Sequence, residues 1–251
     1  MKDEQIFGLL DITSLGDLDT ESGIRRWCQK IARVSEASEG QFKPAAICVY
    51  STLLKAAKDG IGGLSIPLAA VTGNFPSGKA EIGLKVDETK RAIDAGAQEI
   101  DWVVDRGAAI ESDGESVYEE VRFAREACGL VSLKVILESG QIQNQDLLLK
   151  MANQALLGGA NFLKTSTGKI PVGATMLAVQ VFCSALKSQP NSSAGIKVSG
   201  GIRDKKTALE YISLVEKELN WDIAPATFRI GASSLAGELL SDTVWAEIWN
   251  G

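Results

Sequence analysis

Histidine is absent from the chain. That excludes Ser/His/Asp and Cys/His nucleophilic systems and removes the commonest metal ligand, so proton transfer near neutral pH falls to Asp, Glu, Lys, Tyr or water. Cysteine is scarce: Cys28, Cys48, Cys128 and Cys183 lie far apart with no CxxC pair. This spacing argues against a zinc cage or a disulfide framework, and reduced thiols in a cytoplasmic protein are the expectation. No apolar run approaches the roughly 18 residues of a membrane span, and the charged start Met1-Lys2-Asp3-Glu4-Gln5 has no signal-peptide h-region. No membrane partner is expected. Basic clusters interleaved with aromatics are also missing, and 26 basic against 32 acidic residues give a formal charge of -6. Nucleic acid is therefore not an expected partner either.

What the chain does contain is alternation. Short β-type runs at 9–13, 45–50, 67–71, 99–104, 133–137, 161–164, 195–198 and 227–230 are separated by longer segments of helical spacing, such as 79–95, 116–127, 145–157, 175–186 and 205–219. Asn144 and Asp204 are placed as N-caps, and Gly96, Gly129 and Gly158-Gly159 as helix terminators. Strands alternating with helices imply parallel βαβ units, and eight of them favour a closed barrel over a doubly wound sheet. No GxGxxG follows the first strand, which also disfavours a dinucleotide fold. At 251 residues, without a low-complexity tract or Pro-rich linker, the chain reads as α/β, a single-domain (β/α)8 TIM barrel over 1–251. Gly60-Ile61-Gly62-Gly63 and Gln189-Pro190-Asn191-Ser192-Ser193 read as surface turns.

Two lysines end short apolar runs: Lys164 in Asn161-Phe162-Leu163-Lys164 and Lys197 in Gly195-Ile196-Lys197-Val198. A buried ammonium is costly unless it is paired, deprotonated or used. Active-site groups of a parallel barrel sit at the C-terminal ends of its strands, and strands six and seven are neighbours. Two adjacent ammonium groups disfavour each other's charge, leaving one amine partly neutral and able to attack a carbonyl. The competing structural reading is a pair of lysines snorkelling from ordinary strand ends. Asp101, in Glu99-Ile100-Asp101-Trp102-Val103, is a carboxylate amid apolar neighbours and is expected to face inward and meet one or both lysines. Asp11, Lys134 and Glu138 are expected to extend this inward-facing network.

Gly200-Gly201-Ile202-Arg203 follows the seventh strand, and Gly231-Ala232-Ser233-Ser234 follows the eighth and opens a helix. Loops in these two places are the usual phosphate site of such a barrel, because glycines let backbone amides approach the oxygens. Thr165-Ser166-Thr167-Gly168 is placed to add amides and hydroxyls. Cys48 reads as inert packing in an apolar strand.

Taken together, these stretches resemble the deoxyribose-phosphate aldolases, a family of type I (Schiff-base) aldolases. The resemblance runs through Leu9-Leu10-Asp11, Ala46-Ile47-Cys48, Asn74-Phe75-Pro76-Ser77-Gly78, Glu99-Ile100-Asp101, Leu133-Lys134-Val135-Ile136, Phe162 to Lys169, Lys197 to Arg203 and Arg229 to Ser234. It covers nearly the whole chain, and Lys164-Thr165-Ser166-Thr167-Gly168-Lys169 is its most specific element. The resemblance implies reversible cleavage of 2-deoxy-D-ribose 5-phosphate to acetaldehyde and D-glyceraldehyde 3-phosphate. In that pattern Lys164 is the Schiff-base nucleophile, Lys197 lowers its pKa, and Asp101 works with a water in proton transfer. Gly168, Gly200, Gly201, Arg203, Gly231, Ser233 and Ser234 fall on phosphate-binding positions, and Lys169 and Thr13 fall where sugar hydroxyls are expected. No metal or other cofactor is implied, since the iminium is the electron sink. The implied partners are sugar phosphates and aldehydes, with a homodimer or homotetramer compatible.

The chain departs from the family pattern at three places. It ends Trp249-Asn250-Gly251 without the terminal tyrosine of some members, it carries an extra glycine near Gly73, and it has Asp105-Arg106-Gly107 in place of an Asn-containing turn. Proton transfer assisted by a terminal tyrosine is therefore not expected. Two other functional classes fit the same residues. One is another Schiff-base sugar-phosphate aldolase or a transaldolase-like enzyme. The other is a non-catalytic sugar-phosphate-binding barrel in which both lysines stay protonated.

Overall fold

A strand covered on both faces has to be apolar along its length, and Ala46-Ile47-Cys48-Val49 or Leu68-Ala69-Ala70-Val71 read that way. In a computed structural model, which describes residues 1–250, eight such segments pair in parallel. They are β1 (Leu10–Thr13), β2 (Ala46–Tyr50), β3 (Leu68–Thr72), β4 (Glu99–Val103), β5 (Ser132–Ile136), β6 (Phe162–Lys164), β7 (Gly195–Ser199) and β8 (Phe228–Ala232). Each strand neighbours the next, and β8 returns to β1, so the sheet is a closed barrel of the (β/α)8 type. Each lies within one or two residues of the run expected from sequence.

The helices are α1 (Asp3–Phe7), α2 (Glu21–Ala37), α3 (Leu54–Ile61), α4 (Ile82–Asp94), α5 (Arg106–Glu111), α6 (Ser116–Cys128), α7 (Gln145–Leu157), α8 (Met176–Ser188), α9 (Lys205–Leu219), α10 (Ser234–Leu240) and α11 (Ala246–Asn250). Their starts follow the chemistry of the caps. The Asn144 side chain accepts from the amides of Asp146 and Leu147, and Asp204 accepts from that of Thr207. Each such cap contributes about 1 kcal/mol by satisfying an orphan donor. In α7, Leu148, Met151, Ala152 and Ala155 fall on one buried face, the 3.6-residue stripe that turns toward the barrel.

One expected turn is helical instead. Gly60 and Ile61 are buried in α3, and the reversal is confined to Gly62-Gly63, with Gly62 at φ 62°. The reason is a close helix crossing: a Cβ on Gly60 would sit 2.5 Å from the Arg25 carbonyl oxygen and 2.6 Å from Cys28 Cβ of α2. At the C-terminal end, Trp245, Ile248 and Trp249 are partly buried and pack on the barrel's own core.

Candidate active site

Strand register sets the site. On the barrel interior Lys164 of β6 pairs with Lys197 of β7, Lys197 with Arg229 of β8, and Asp101 of β4 with Lys134 of β5. Parallel pairing thus brings charges from separate βα units side by side within an apolar core. Asp101 Oδ2 accepts from both Lys164 Nζ and Lys197 Nζ at 2.6 Å, and Oδ1 accepts from Lys134 Nζ at 3.0 Å. Asp101 therefore meets three lysines, more than the one or two expected. Asp11 on β1 lies 2.6 Å from Lys197, 2.9 Å from Lys134 and 2.6 Å from Arg229. Glu99 completes the floor, 2.5 Å from Lys134 and 3.0 Å from Arg229.

Burial decides how these groups ionise. Lys164 is 2% exposed, and desolvation, aided by the Lys197 ammonium, holds its pKa below the ordinary lysine value despite the opposing pull of Asp101. Lys197 is equally desolvated, but Asp101 and Asp11 outweigh that loss and raise its pKa. Lys134 is raised well above the usual value, since Asp101, Asp11 and Glu99 overcome its burial. Burial pushes the Asp101 carboxyl up, yet Lys134, Lys164 and Lys197 together hold it well below the carboxylate range. Asp11 is lowered in the same way by Lys134, Lys197 and Arg229. The two neighbouring lysines thus shift in opposite directions, with Lys164 the amine that gives up its proton more readily.

Above Lys164 opens a cavity of about 310 Å³. Thr13, Gly168, Lys169, Gly200, Gly201, Arg203, Gly231, Ser233 and Ser234 all line it, so the structure gathers the residues singled out in the β6, β7 and β8 loops around one space. Gly200 and Gly201 have φ of 84° and 85°, a backbone region that side chains rarely adopt. The loops are tied together: the Ser199 amide donates to Thr165 Oγ1 at 3.0 Å, and Ser199 Oγ donates to the Ser166 carbonyl at 2.6 Å. At the rim Lys169 Nζ donates to Asp17 at 2.8 Å, and the exposed Arg203 makes no ion pair among the described residues. A more open groove of about 990 Å³ runs along α8 and α9, but it is lined by surface residues such as Gln180, Glu210 and Lys217 and reaches none of the buried amines.

Glu138 departs from its expected place. It follows β5 at φ 50° and is buried away from the lysines, accepting from the Thr167 amide at 3.1 Å and from Thr167 Oγ1 at 2.5 Å. Its role is to hold the β6 loop, because the chain has left the strand before this residue and no longer points it inward. Cys48, read as packing, is buried with Sγ 3.8 Å from Asp101 Oδ2. Burial and the Asp101 charge push its thiol up to about 11, so it stays protonated. Arg229 and Glu99 join the network beyond the residues that the sequence singles out. Both carry the signal that exposed Asp101: a charged residue inside an apolar strand, with Glu99 two positions from Asp101 and hence on the same face. Among the described residues no group of three or more Cys, Asp or Glu side chains is arranged to hold a metal ion, and no helix is long and apolar enough to cross a membrane.

The barrel as a whole is similar to those of known proteins. A protein from Coccidioides immitis, provisionally named a deoxyribose-phosphate aldolase, superposes with a TM-score of 0.78 at 29% identity, covering 95% of this chain and 87% of that one. A tetrameric deoxyribose phosphate aldolase from Aeropyrum pernix gives 0.72 at 26% identity, with 96% and 91% covered. An apo protein from Toxoplasma gondii ME49, also provisionally named a deoxyribose-phosphate aldolase, gives 0.85 at 25% identity, with 98% and 96% covered. Residues 10–224 match the model of the DeoC/LacD family aldolases. With that match spanning most of the barrel, the chain belongs to the DeoC/LacD aldolase family and is a carbon–carbon lyase.

Proposed function

We propose that the protein reversibly cleaves 2-deoxy-D-ribose 5-phosphate to acetaldehyde and D-glyceraldehyde 3-phosphate through a Schiff base on Lys164. The observation that carries this reading is the placement of a buried amine with a lowered pKa at the floor of a cavity walled by the glycine loops after β6, β7 and β8. In the synthetic direction Lys164 Nζ attacks the acetaldehyde carbonyl, and the carbinolamine loses water to form an iminium. Removal of a proton from the adjacent carbon gives the enamine, whose carbon adds to the aldehyde carbon of glyceraldehyde 3-phosphate. Water then hydrolyses the product iminium and restores the free amine.

In this scheme the Lys197 ammonium helps to keep Lys164 a free amine, and Asp101 moves the protons with a water. Asp101 has little affinity for a proton while three lysines face it, so it serves to pass one to or from a water and not to store it. The phosphate is assigned to Gly168, Gly200, Gly201, Arg203, Gly231, Ser233 and Ser234, and the sugar hydroxyls to Lys169 and Thr13, which share the cavity with Lys164. The four free, buried cysteines support a cytoplasmic setting, and assembly into two or four copies belongs to the same proposal.

The test is borohydride reduction in the presence of 2-deoxyribose 5-phosphate, followed by intact mass and peptide mapping. A two-carbon adduct on Lys164 is expected. Folded protein that binds the sugar phosphate without forming an adduct, or that forms one on another lysine, refutes the assignment.

A further inference from the structure

Lys134, Lys164, Lys197 and Arg229 share one buried cluster with Asp11, Glu99 and Asp101. Four potential cations against three carboxylates leave one positive charge in excess when every group is ionised. An uncompensated charge in a desolvated interior is costly, and the cheapest relief is for one group to lose its proton. The guanidinium cannot do so, so a lysine must. Lys134 faces Asp11, Glu99 and Asp101, and Lys197 faces Asp11 and Asp101, whereas Lys164 faces Asp101 alone and opens on the cavity. The least compensated amine is the one at the reacting position.

Arg229 does not line that cavity. Its guanidinium donates to Asp11 at 2.6 Å and to Glu99 at 3.0 Å, its Nε donates to the Pro225 carbonyl, and it stacks 5.5 Å from the Phe162 ring. We infer that Arg229 is a positioning residue for charge: by engaging Asp11 and Glu99 with a cation that cannot deprotonate, it prevents those carboxylates from balancing a third lysinium and so holds Lys164 as a free amine. Without it, three lysines would face three carboxylates, and Lys164 would keep its proton. The groups that face Lys164 and Arg229 come from five other strands: Asp11 from β1, Glu99 and Asp101 from β4, Lys134 from β5 and Lys197 from β7, with the Cys48 thiol of β2 beside Asp101. The catalytic consequence rests on Lys164 being the nucleophile, but its ionisation can be read without turnover.

The experiment is competitive labelling with trace acetic anhydride across a pH series, with the Lys164 peptide quantified by mass spectrometry. It is run on the wild-type protein, Arg229→Met, Glu99→Gln and the double variant. Arg229→Met removes a cation, so the Lys164 midpoint should move to higher pH, with on the order of tenfold less free amine at neutral pH. Glu99→Gln removes an anion and should move it to lower pH. The double variant removes one of each and should return toward the wild-type midpoint. A residue that merely braces the fold would lower Tm and leave the midpoint in place. Unmoved midpoints in folded variants, or shifts of the two single variants in the same direction, overturn the inference. If Arg229→Met does not fold, Glu99→Gln and the double variant decide: a shift to lower pH that the double variant cancels supports it, and any other pattern overturns it. The pH profile of kcat/KM on 2-deoxyribose 5-phosphate separates the two readings. Midpoints that move as stated while turnover ignores them leave the charge inference standing and refute Lys164 as nucleophile; fixed midpoints in an enzyme that still forms the Lys164 adduct do the reverse.

Discussion

Replacing Lys197 with leucine tests how strongly a neighbouring cation activates Lys164. Both ammonium nitrogens donate to the same oxygen of Asp101 at 2.6 Å, so they lie within twice that distance of each other. Two unit charges about 5 Å apart at an effective dielectric of about 20 repel by roughly 3 kcal/mol. Removing one should cost about a hundredfold in the free-amine fraction of Lys164 on the acidic side of its titration. The sign follows from the direction of coupling: a nearby cation disfavours lysinium, so its loss favours lysinium and moves the acid limb of the pH profile to higher pH. Leucine also leaves Asp11 and Asp101 each short of one partner, although Lys134 still faces both and Arg229 faces Asp11. A loss of a few kcal/mol in stability is therefore expected alongside the shift. The assay is kcat/KM against pH, together with the rate of borohydride-trapped adduct formation, in protein whose circular dichroism confirms the fold. An unchanged acid limb would refute the reasoning and remove Lys197 as a cause of the lowered pKa of Lys164.

Three further outcomes follow from the same structure. Asp11 and Asp101 have folded-state pKa values below those of the unfolded chain, so their contribution is fully present above about pH 4 and is lost as pH falls toward the folded values. Thermal unfolding between pH 6 and 3 should show Tm dropping at the acid end, with a shallower drop in Asp101→Asn; a flat profile would refute this. Arg203→Ala should raise KM for phosphorylated substrate by about tenfold, in line with loss of one charge-assisted contact, while leaving the KM for unphosphorylated 2-deoxyribose nearly unchanged; equal losses would remove Arg203 from the phosphate. Gly60→Leu should destabilise by about 3 kcal/mol or more through overpacking of the α2–α3 crossing, read by urea unfolding, and a change below about 0.5 kcal/mol would mean that the helices separate freely.

Local pattern made much of the architecture readable in advance. Apolar strands bounded by caps and glycines carry their own signal, which is why Gln145–Leu157 and Lys205–Leu219 form helices over the spans that their periodicity marks. Gly60 misleads because a glycine beside Gly62-Gly63 looks like part of a turn, and only the approach of α2 explains its helical setting. Glu138 misleads for a related reason. It follows β5 on a strand-like spacing from Lys134, but the backbone has left the strand and takes φ 50° there, so the side chain meets Thr167 of the β6 loop.

The chemistry divides along the same line. The amino-acid order alone determined that two lysines and an aspartate lie within or at the end of apolar strands, and that glycine-rich loops follow the seventh and eighth strands. It also placed Arg229 and Glu99 within apolar runs, without indicating what they meet. Barrel closure decided the rest. Asp11 and Arg229 are 218 residues apart in the chain and 2.6 Å apart in space, because β8 returns to pair with β1. No local pattern can report a charge balance shared among six strands. Which amine loses its proton is a property of that shared burial, and therefore of the tertiary structure.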